Sequence, residues 1–309
     1  MPDLSDLGRQ ILEANSTLAE LERSLAGSPE SRALSMTIES IKRNKRQLEA
    51  AFLEEANQVG VDVCSYRLFS ESGLPTAVHL GRALEGLQTA ISTVYAALRT
   101  RVALRSARIS AEAASESALT FGYAFSGSVG FVLTIPNERR LFGASTLDES
   151  VDLVFELAKA ESPRVIASYA ERLGPASIRA IYKWASVLVA GDLGAEVEWR
   201  RVDEVRSRVL IQVPELEHLR SAIEATSDAS IASVVLDGML VGLQSERRTF
   251  DLAFEGGAHI HGSLSEEFSL DVPLRIPSRY FATLTKTTRT RYSVDEDEET
   301  WELEHLEAI

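Results

Sequence analysis

Leu4, Leu7, Ile11, Ala14, Leu18, Leu21 and Leu25 step by three and four residues without a break. That spacing lays one narrow apolar stripe along a helix and repeats it every seven residues, as in a coiled-coil seam. Glu13, Glu20, Glu22 and Arg23 fall between the seam positions, where solvated faces belong. Ala26-Gly27-Ser28-Pro29 stops the run, and Ser28 with Pro29 is set to cap and open a second helix. That helix repeats the pattern with Leu34, Ile38, Ile41, Leu48 and Phe52, and places Lys45 in the seam. The basic group Lys42, Arg43, Lys45 and Arg46 reads as a solvated face pairing with the acidic first helix. Residues 1–60 are therefore expected to form an antiparallel helical hairpin.

A third seam, Ala77, Leu80, Leu84, Leu87, Ile91, Val94 and Leu98, predicts a long helix over 75–105, about 45 Å at 1.5 Å per residue. Gly81 and Gly86 lie off it, either tolerated or allowing close backbone approach. Stripes this narrow are covered only by other helices. They can pack within the chain or pair with a second copy, and the pattern does not choose. Leu4, Leu7, Ile11, Leu18, Leu21, Leu25, Leu84, Leu87, Ile91 and Leu98 are the interaction residues this implies.

The seams are embedded in an α+β pattern. VDVCSYRLF (61–69) reads as a strand, and SARISAEAASESA as a helix tail or linker. LTFGYAFSGSVGFVLTIP reads as a hairpin turning at Ser126-Gly127-Ser128, with Phe121, Tyr123 and Phe125 on one face and Phe131, Leu133 and Ile135 on one face of the return. SGSVG lacks the Lys-Ser/Thr of a phosphate-binding loop and precedes a strand rather than a helix. Thr146-Leu147-Asp148-Glu149 reads as a capping box. Ser162-Pro163 and Pro175 open two more helices, with Trp184 at the edge of the second one's apolar face. AEVEWRRVDEVRSRVLIQVP is a second hairpin and Pro214 opens a helix to about Thr226. The order over 61–227 implies an antiparallel or mixed sheet with helices on one face.

From 228 to 309 the texture changes to short strands. IASVVLDGMLVGLQ carries Gly238 and Gly242, which permit a bend. In RTFDLAF, Phe250, Leu252 and Phe254 point in. RYFATLT and KTTRTRYS read as separate strands, DEDEE (Asp295 to Glu299) as an acidic loop, and WELEHL as a strand with Trp301 and Leu303 inward. Five or six strands in this length make a small β-barrel, and the pattern resembles the SH3-like or Sm-like architecture.

Chemistry is sparse. Glu196 and Glu198, with Asp192 before them, resemble the acids of a metal-dependent nuclease, but Arg200 stands where such sites carry a lysine, and Arg cannot give up a proton. His259 and His261 flank Ile260 on the outer face of a strand, about 6.6 Å apart. A metal would need a third ligand, for which Asp251, Glu266 and Glu267 are the candidates. Arg275, Arg279, Lys286, Arg289 and Arg291 lie among Tyr280, Phe281 and Tyr292, a mixture that can bind single-stranded nucleic acid, or can pair with Glu302, Glu304 and the acidic loop. The chain carries 32 Lys+Arg against 46 Asp+Glu, a formal charge of −14, which repels nucleic acid and anionic membrane on average. Cys64 lies in an apolar strand and reads as a buried hydrophobe, and no intrachain disulfide is possible with one cysteine.

The expectation is a non-enzymatic, cytoplasmic interaction or scaffold protein without cofactor. It would self-associate through its seams as a dimer or larger and present the barrel to a protein partner. A metal-dependent hydrolase and a nucleic-acid-binding barrel are the competing classes.

Overall fold

Helix α1 (Leu4–Gly27) and helix α2 (Arg32–Gln58) pack on each other. The computed structural model describes residues 3–70, 73, 75–106, 108–125, 129–137, 144–201, 204–269, 274–294 and 297–309. Asp3 caps α1 by accepting from the Asp6 amide at 2.8 Å. The cap of α2 is Ser31 rather than Ser28. The Ser28-Pro29 turn is closed by Ser31 N–H donating to the Ser28 carbonyl, and the helix begins only after it. Lys42 reaches Glu22 across the pair at 3.3 Å, while Lys45 pairs along its own helix with Glu49.

The order continues β1 (Val61–Phe69), α3 (Ala77–Thr100), α4 (Ala111–Glu116), β2 (Thr120–Phe125), β3 (Val129–Pro136), α5 (Thr146–Ala158), α6 (Pro163–Leu173), α7 (Pro175–Ala190), β4 (Gly194–Arg201), β5 (Glu204–Ile211) and α8 (Val213–Glu224). The strands form one sheet, β2-β3-β1-β4-β5, with every neighbour antiparallel. The centre strand β1 buries one face along its length and Val63 on the other, which is why its residues alternate so weakly in polarity. Cys64, Tyr66 and Leu68 face α3 and α7, where the Tyr66 hydroxyl accepts from Trp184 Nε1 at 3.0 Å. Val63 faces the other way, into a cluster with Leu7, Ile11, Phe52, Ala56, Tyr123 and Val132.

Several local expectations shift. Helix α3 stops at Thr100, about 36 Å long. Arg101 takes a left-handed conformation, and Leu104 is then tied to the α6–α7 corner through Leu173 O and Ala176 N. Trp184 lies in the core, not at the edge of its face: its indole N–H has Tyr66 as partner and so can be fully buried. A bulge between Phe121 and Tyr123 sets Phe121 opposite Leu133 and Tyr123 opposite Val132, so Phe121 is 55% exposed and Tyr123 buried. The cap of α5 is Ser145, one residue earlier than read, in a capping box with Asp148. Residues 126–128, the expected hairpin turn, lie outside the described residues.

Helix α1 also guards the sheet. Strand β2 is an edge, and edges left open invite pairing with other chains. Asn15 donates to the Ala124 carbonyl at 2.9 Å, and one heptad earlier Gly8 lies so close to Gly122 that an added Cβ would sit 2.7 Å from its carbonyl oxygen.

The last five strands are β6 (Ser227–Gln244), β7 (Thr249–Ala253), β8 (His259–Leu264), β9 (Ser278–Arg291) and β10 (Glu298–Ala308). They close as a barrel, β10-β8-β7-β6-β9, filled by Leu240, Phe250, Leu252, Leu264, Tyr280, Ala282, Leu284 and Leu303. The expected strands 279–285 and 286–293 join in the single strand β9, which ends at Arg291 and whose hydrogen-bonded register with β6 runs through the threonines and Lys286. Strands β8 and β10 pair in parallel. The parallel contact makes this a five-stranded Greek key rather than a simple meander, and does not confirm the SH3-like or Sm-like architecture. By its own contacts the chain divides into two compact units, Met1–Ala225 and Thr226–Ile309, with α1 and α2 in the first.

The glycines give a test with opposite signs. Gly86 packs against Trp184, where a Cβ would meet the indole and backbone at 3.0–3.2 Å, whereas Gly81 has nothing within 4 Å. Gly81→Ala is expected to stabilise by up to about 1 kcal/mol through helix propensity. Gly8→Ala has the same propensity gain but must push α1 off the β2 edge, and is expected to be net destabilising. Urea titration of both variants reads the two signs.

Candidate functional site

The acids read as a nuclease set do not converge. Asp192 sits in the turn after α7 with positive φ and accepts from the Ser70 hydroxyl at 3.4 Å. Glu196 and Glu198 share one face of β4, where arginines take them up. Arg67 lies 3.6 Å from Glu196, Arg208 bonds Glu196 and lies 3.9 Å from Glu198, and Arg200 bonds Glu198. A metal ion at this face would have to displace guanidinium groups that already neutralise both carboxylates.

The opposite end of β1 holds a denser cluster. Asp62 is fully buried. Arg201 binds it with two parallel bonds, Nε to Oδ1 at 3.0 Å and a terminal nitrogen to Oδ2 at 2.9 Å. Trp199 Nε1 donates to it at 3.1 Å and Asn137 Nδ2 at 2.6 Å. Asp148, at the start of α5, accepts from Arg201 at 2.7 Å, from Asn137 at 2.9 Å and from the Ser145 backbone at 2.9 Å, and pairs with Arg206. The Ser145 hydroxyl donates to Asn137 Oδ1 at 2.7 Å. Two carboxylates thus meet two guanidinium groups. Burial alone would raise the Asp148 carboxyl; the Ser145 amide, Arg206, Asn137 and the Arg201 charge outweigh it and hold it down at about 2.

A cleft of about 520 Å³ lies beside this cluster, lined by Tyr95, Arg99, Glu116, Asn137, Ser145 and Thr146. Its polar walls bind one another. Arg99 is held by Glu112 at 2.8 Å and Glu116 at 3.1 Å, and the Tyr95 hydroxyl donates to Glu116. Cys64 is buried, and its thiol is pushed up to about 12, first by burial and then by the charge of Glu198. None of the cluster residues is singled out by a local pattern. Asp62 lies in an apolar strand and Asp148 looks like helix capping, and their partner Arg201 is 139 positions beyond Asp62.

On the barrel, His261 Nδ1 and Asp251 Oδ1 lie 2.7 Å apart in directly opposed positions of β7 and β8, both exposed. His259 stands opposite Ala253. Among the described residues no group of three or more His, Cys, Asp or Glu is placed to hold a metal ion. Three of the barrel's cations face acids: Arg279 holds Asp237 at 2.8 Å and Glu255 at 3.1 Å, Lys286 holds Glu299 at 2.6 Å, and Arg291 holds Glu298 at 3.1 Å.

Of the ten seam residues, Leu7, Ile11, Leu18, Leu87 and Ile91 are buried within the chain. Leu4, Leu21, Leu25, Leu84 and Leu98 are half-buried. The large apolar side chains left outside include a row on the barrel that the sequence reading did not single out. Ile231 is 74% exposed, Val235 63% and Met239 41%, all on the outward face of β6, with Phe281 43% exposed on the neighbouring β9.

No family model, curated protein or solved structure matches the chain. Among the described residues no helix is long and apolar enough to cross a membrane.

The buried cluster makes two predictions. Arg201→Met strands Asp62 without its ion-pair partner and is expected to cost about 3–5 kcal/mol in urea unfolding at neutral pH. The Asp148 carboxyl lies below its ordinary 3.8, so its stabilisation is full above that value and is lost as pH falls through the window from about 4 to about 2. That loss amounts to about 2 kcal/mol. Asp148→Asn should flatten this part of the pH–stability curve. Separately, Cys64 is expected to resist a thiol reagent at pH 8 in the native protein and to react at once in 6 M guanidinium (about the concentration that unfolds most domains).

Proposed function

We propose that this chain is a non-enzymatic interaction protein whose C-terminal barrel presents a binding surface to a protein partner. The observation that carries the reading is the exposed row Ile231, Val235, Met239 and Phe281. Three of the four recur every fourth residue along one strand, so the row extends over about 26 Å. Apolar groups gathered on one wall, rather than scattered, are the usual mark of a contact surface.

Self-association through the helical seams belongs to the same reading but draws less support. Five of the ten seam residues are buried within the chain and the other five only half exposed, and the large apolar side chains that α1 and α2 leave exposed are Leu12 and Met36.

The nucleic-acid reading also draws less. OB-type barrels bind oligonucleotides and oligosaccharides across their second and third strands. Here those strands, β7 and β8, turn outward Thr249, Asp251, Ala253, His259, His261 and Ser263, without Phe, Tyr or Trp to stack a base. Residues 226–309 hold seven Lys+Arg against sixteen Asp+Glu.

The experiment compares the full chain with its Ile231→Ser/Val235→Ser variant, each immobilised in a lysate of the source cells. Both positions are exposed, so the variant should keep its melting temperature. Proteins retained by the native chain and released by the variant support the reading; identical capture by both overturns it. Sedimentation at micromolar concentration should show a monomer, and a dimer dispersed by Leu12→Glu/Met36→Glu would move the interaction to the helices.

A further inference from the structure

We infer that the partner of the barrel wall is a basic amphipathic protein segment, with Lys or Arg side chains beside a run of apolar ones. The inference rests on the reading of the wall as a partner surface and adds the partner's chemistry.

The apolar row is bordered by carboxylates. Asp237 lies in the row between Val235 and Met239, directly opposite Phe281. On the far side of β9, Glu307 stands opposite Phe281, and Glu304 accepts a bond from Thr285, whose neighbours on the wall are Ser233 and Thr283. Arg279, opposite Met239, is shared by Asp237 and Glu255, so even there the local balance is negative. At this end of the row a cavity of about 510 Å³ opens, with Met239, Ala253 and Phe254 as its apolar lining and Asp237, Glu255 and Arg279 as its polar lining.

That combination selects its occupant. A long cationic side chain buries its methylene stem on apolar surface while keeping its charge beside carboxylates. The cavity offers both within one side-chain length. A second copy of this chain would bring the same acidic border against itself, and like charges juxtaposed in an interface are costly. Nucleic acid and anionic membrane are repelled for the same reason. A purely apolar partner would bury the carboxylates without a counter-charge.

The probe is an 18-residue amphipathic helix of Leu and Lys (about five turns), with a Leu/Glu peptide of the same pattern as control. Both are titrated calorimetrically into the full-length chain. The Leu/Lys peptide is expected to bind at one site, with affinity falling roughly tenfold or more in Val235→Ser/Met239→Ser, each a partly exposed position, and severalfold in Asp237→Asn/Glu307→Gln. The Leu/Glu peptide is expected not to bind. Leu/Lys binding unchanged by the apolar variant is diffuse charge attraction and overturns the inference, as does no binding at all. Binding of both peptides alike, lost in the apolar variant, overturns the basic partner but leaves the partner surface standing; that surface fails separately, through identical capture by native and variant chains in the lysate comparison.

Discussion

A carboxylate at zero exposure has to be paired, and Asp62 is where this chain meets that requirement. Bonds to it come from Arg201, Trp199 and Asn137, which arrive on two other segments. Satisfying them fixes the end of β4 against the start of β1. Asn137 and Arg201 pass the constraint on to Asp148, whose second oxygen holds the first turn of α5. The sheet's register and the seat of its covering helix are thus set by one group of side chains. An apolar group of the same volume can pack as stably; what it lacks is direction, because a guanidinium meets a carboxylate edge-on and in few orientations.

The same pairing decides what the acids can do. Every carboxylate that suggested metal chemistry on β4 meets an arginine, and those at the head of β1 and α5 do as well. Guanidinium groups stay charged at any ordinary pH, so these acids stay occupied. Cys64 lies in the same sheet, buried and far from its thiolate form. These acids and Cys64 are spent on structure.

The legible part of the fold was the part governed by local periodicity. Helices appeared where threes and fours repeat, and strands where polarity alternates. What periodicity does not carry is the identity of the partner across a long loop. The α1 seam predicts a helical neighbour, and α2 is one; Gly8 and Asn15, one heptad apart on the flank, meet the edge strand β2, and nothing in a heptad announces a sheet edge. Trp184 reads as peripheral because its indole is polar, until Tyr66 is found 118 positions away to accept its proton. The breaks set at polar residues in β9 failed for a related reason: its threonines and Lys286 lie in a ladder whose hydrogen bonds are made by backbone, indifferent to side chain. The barrel's strands were readable, but their order was not, since a parallel β8–β10 contact leaves no trace in either strand. The acids of the candidate site were visible as residues; that arginines would claim them was not.

Where charge is spent inside, apolar surface is left outside, and the wall of β6 and β9 is the clearest case. The inward residues of these strands, Val234, Leu236, Leu240, Tyr280, Ala282 and Leu284, fill or pack on the barrel core, so alternation alone would have placed Ser, Thr or charge at Ile231, Val235, Met239 and Phe281. These four side chains lie outside the barrel's core cluster, which does not itself call for large apolar groups there. Thr283, Thr285 and Thr287 on the adjacent outward positions show that the strand tolerates polar residues at the same geometry. On the proposed reading the row is accounted for by what it meets rather than by what it supports, and its border of carboxylates would make that surface selective for the sign of charge it faces.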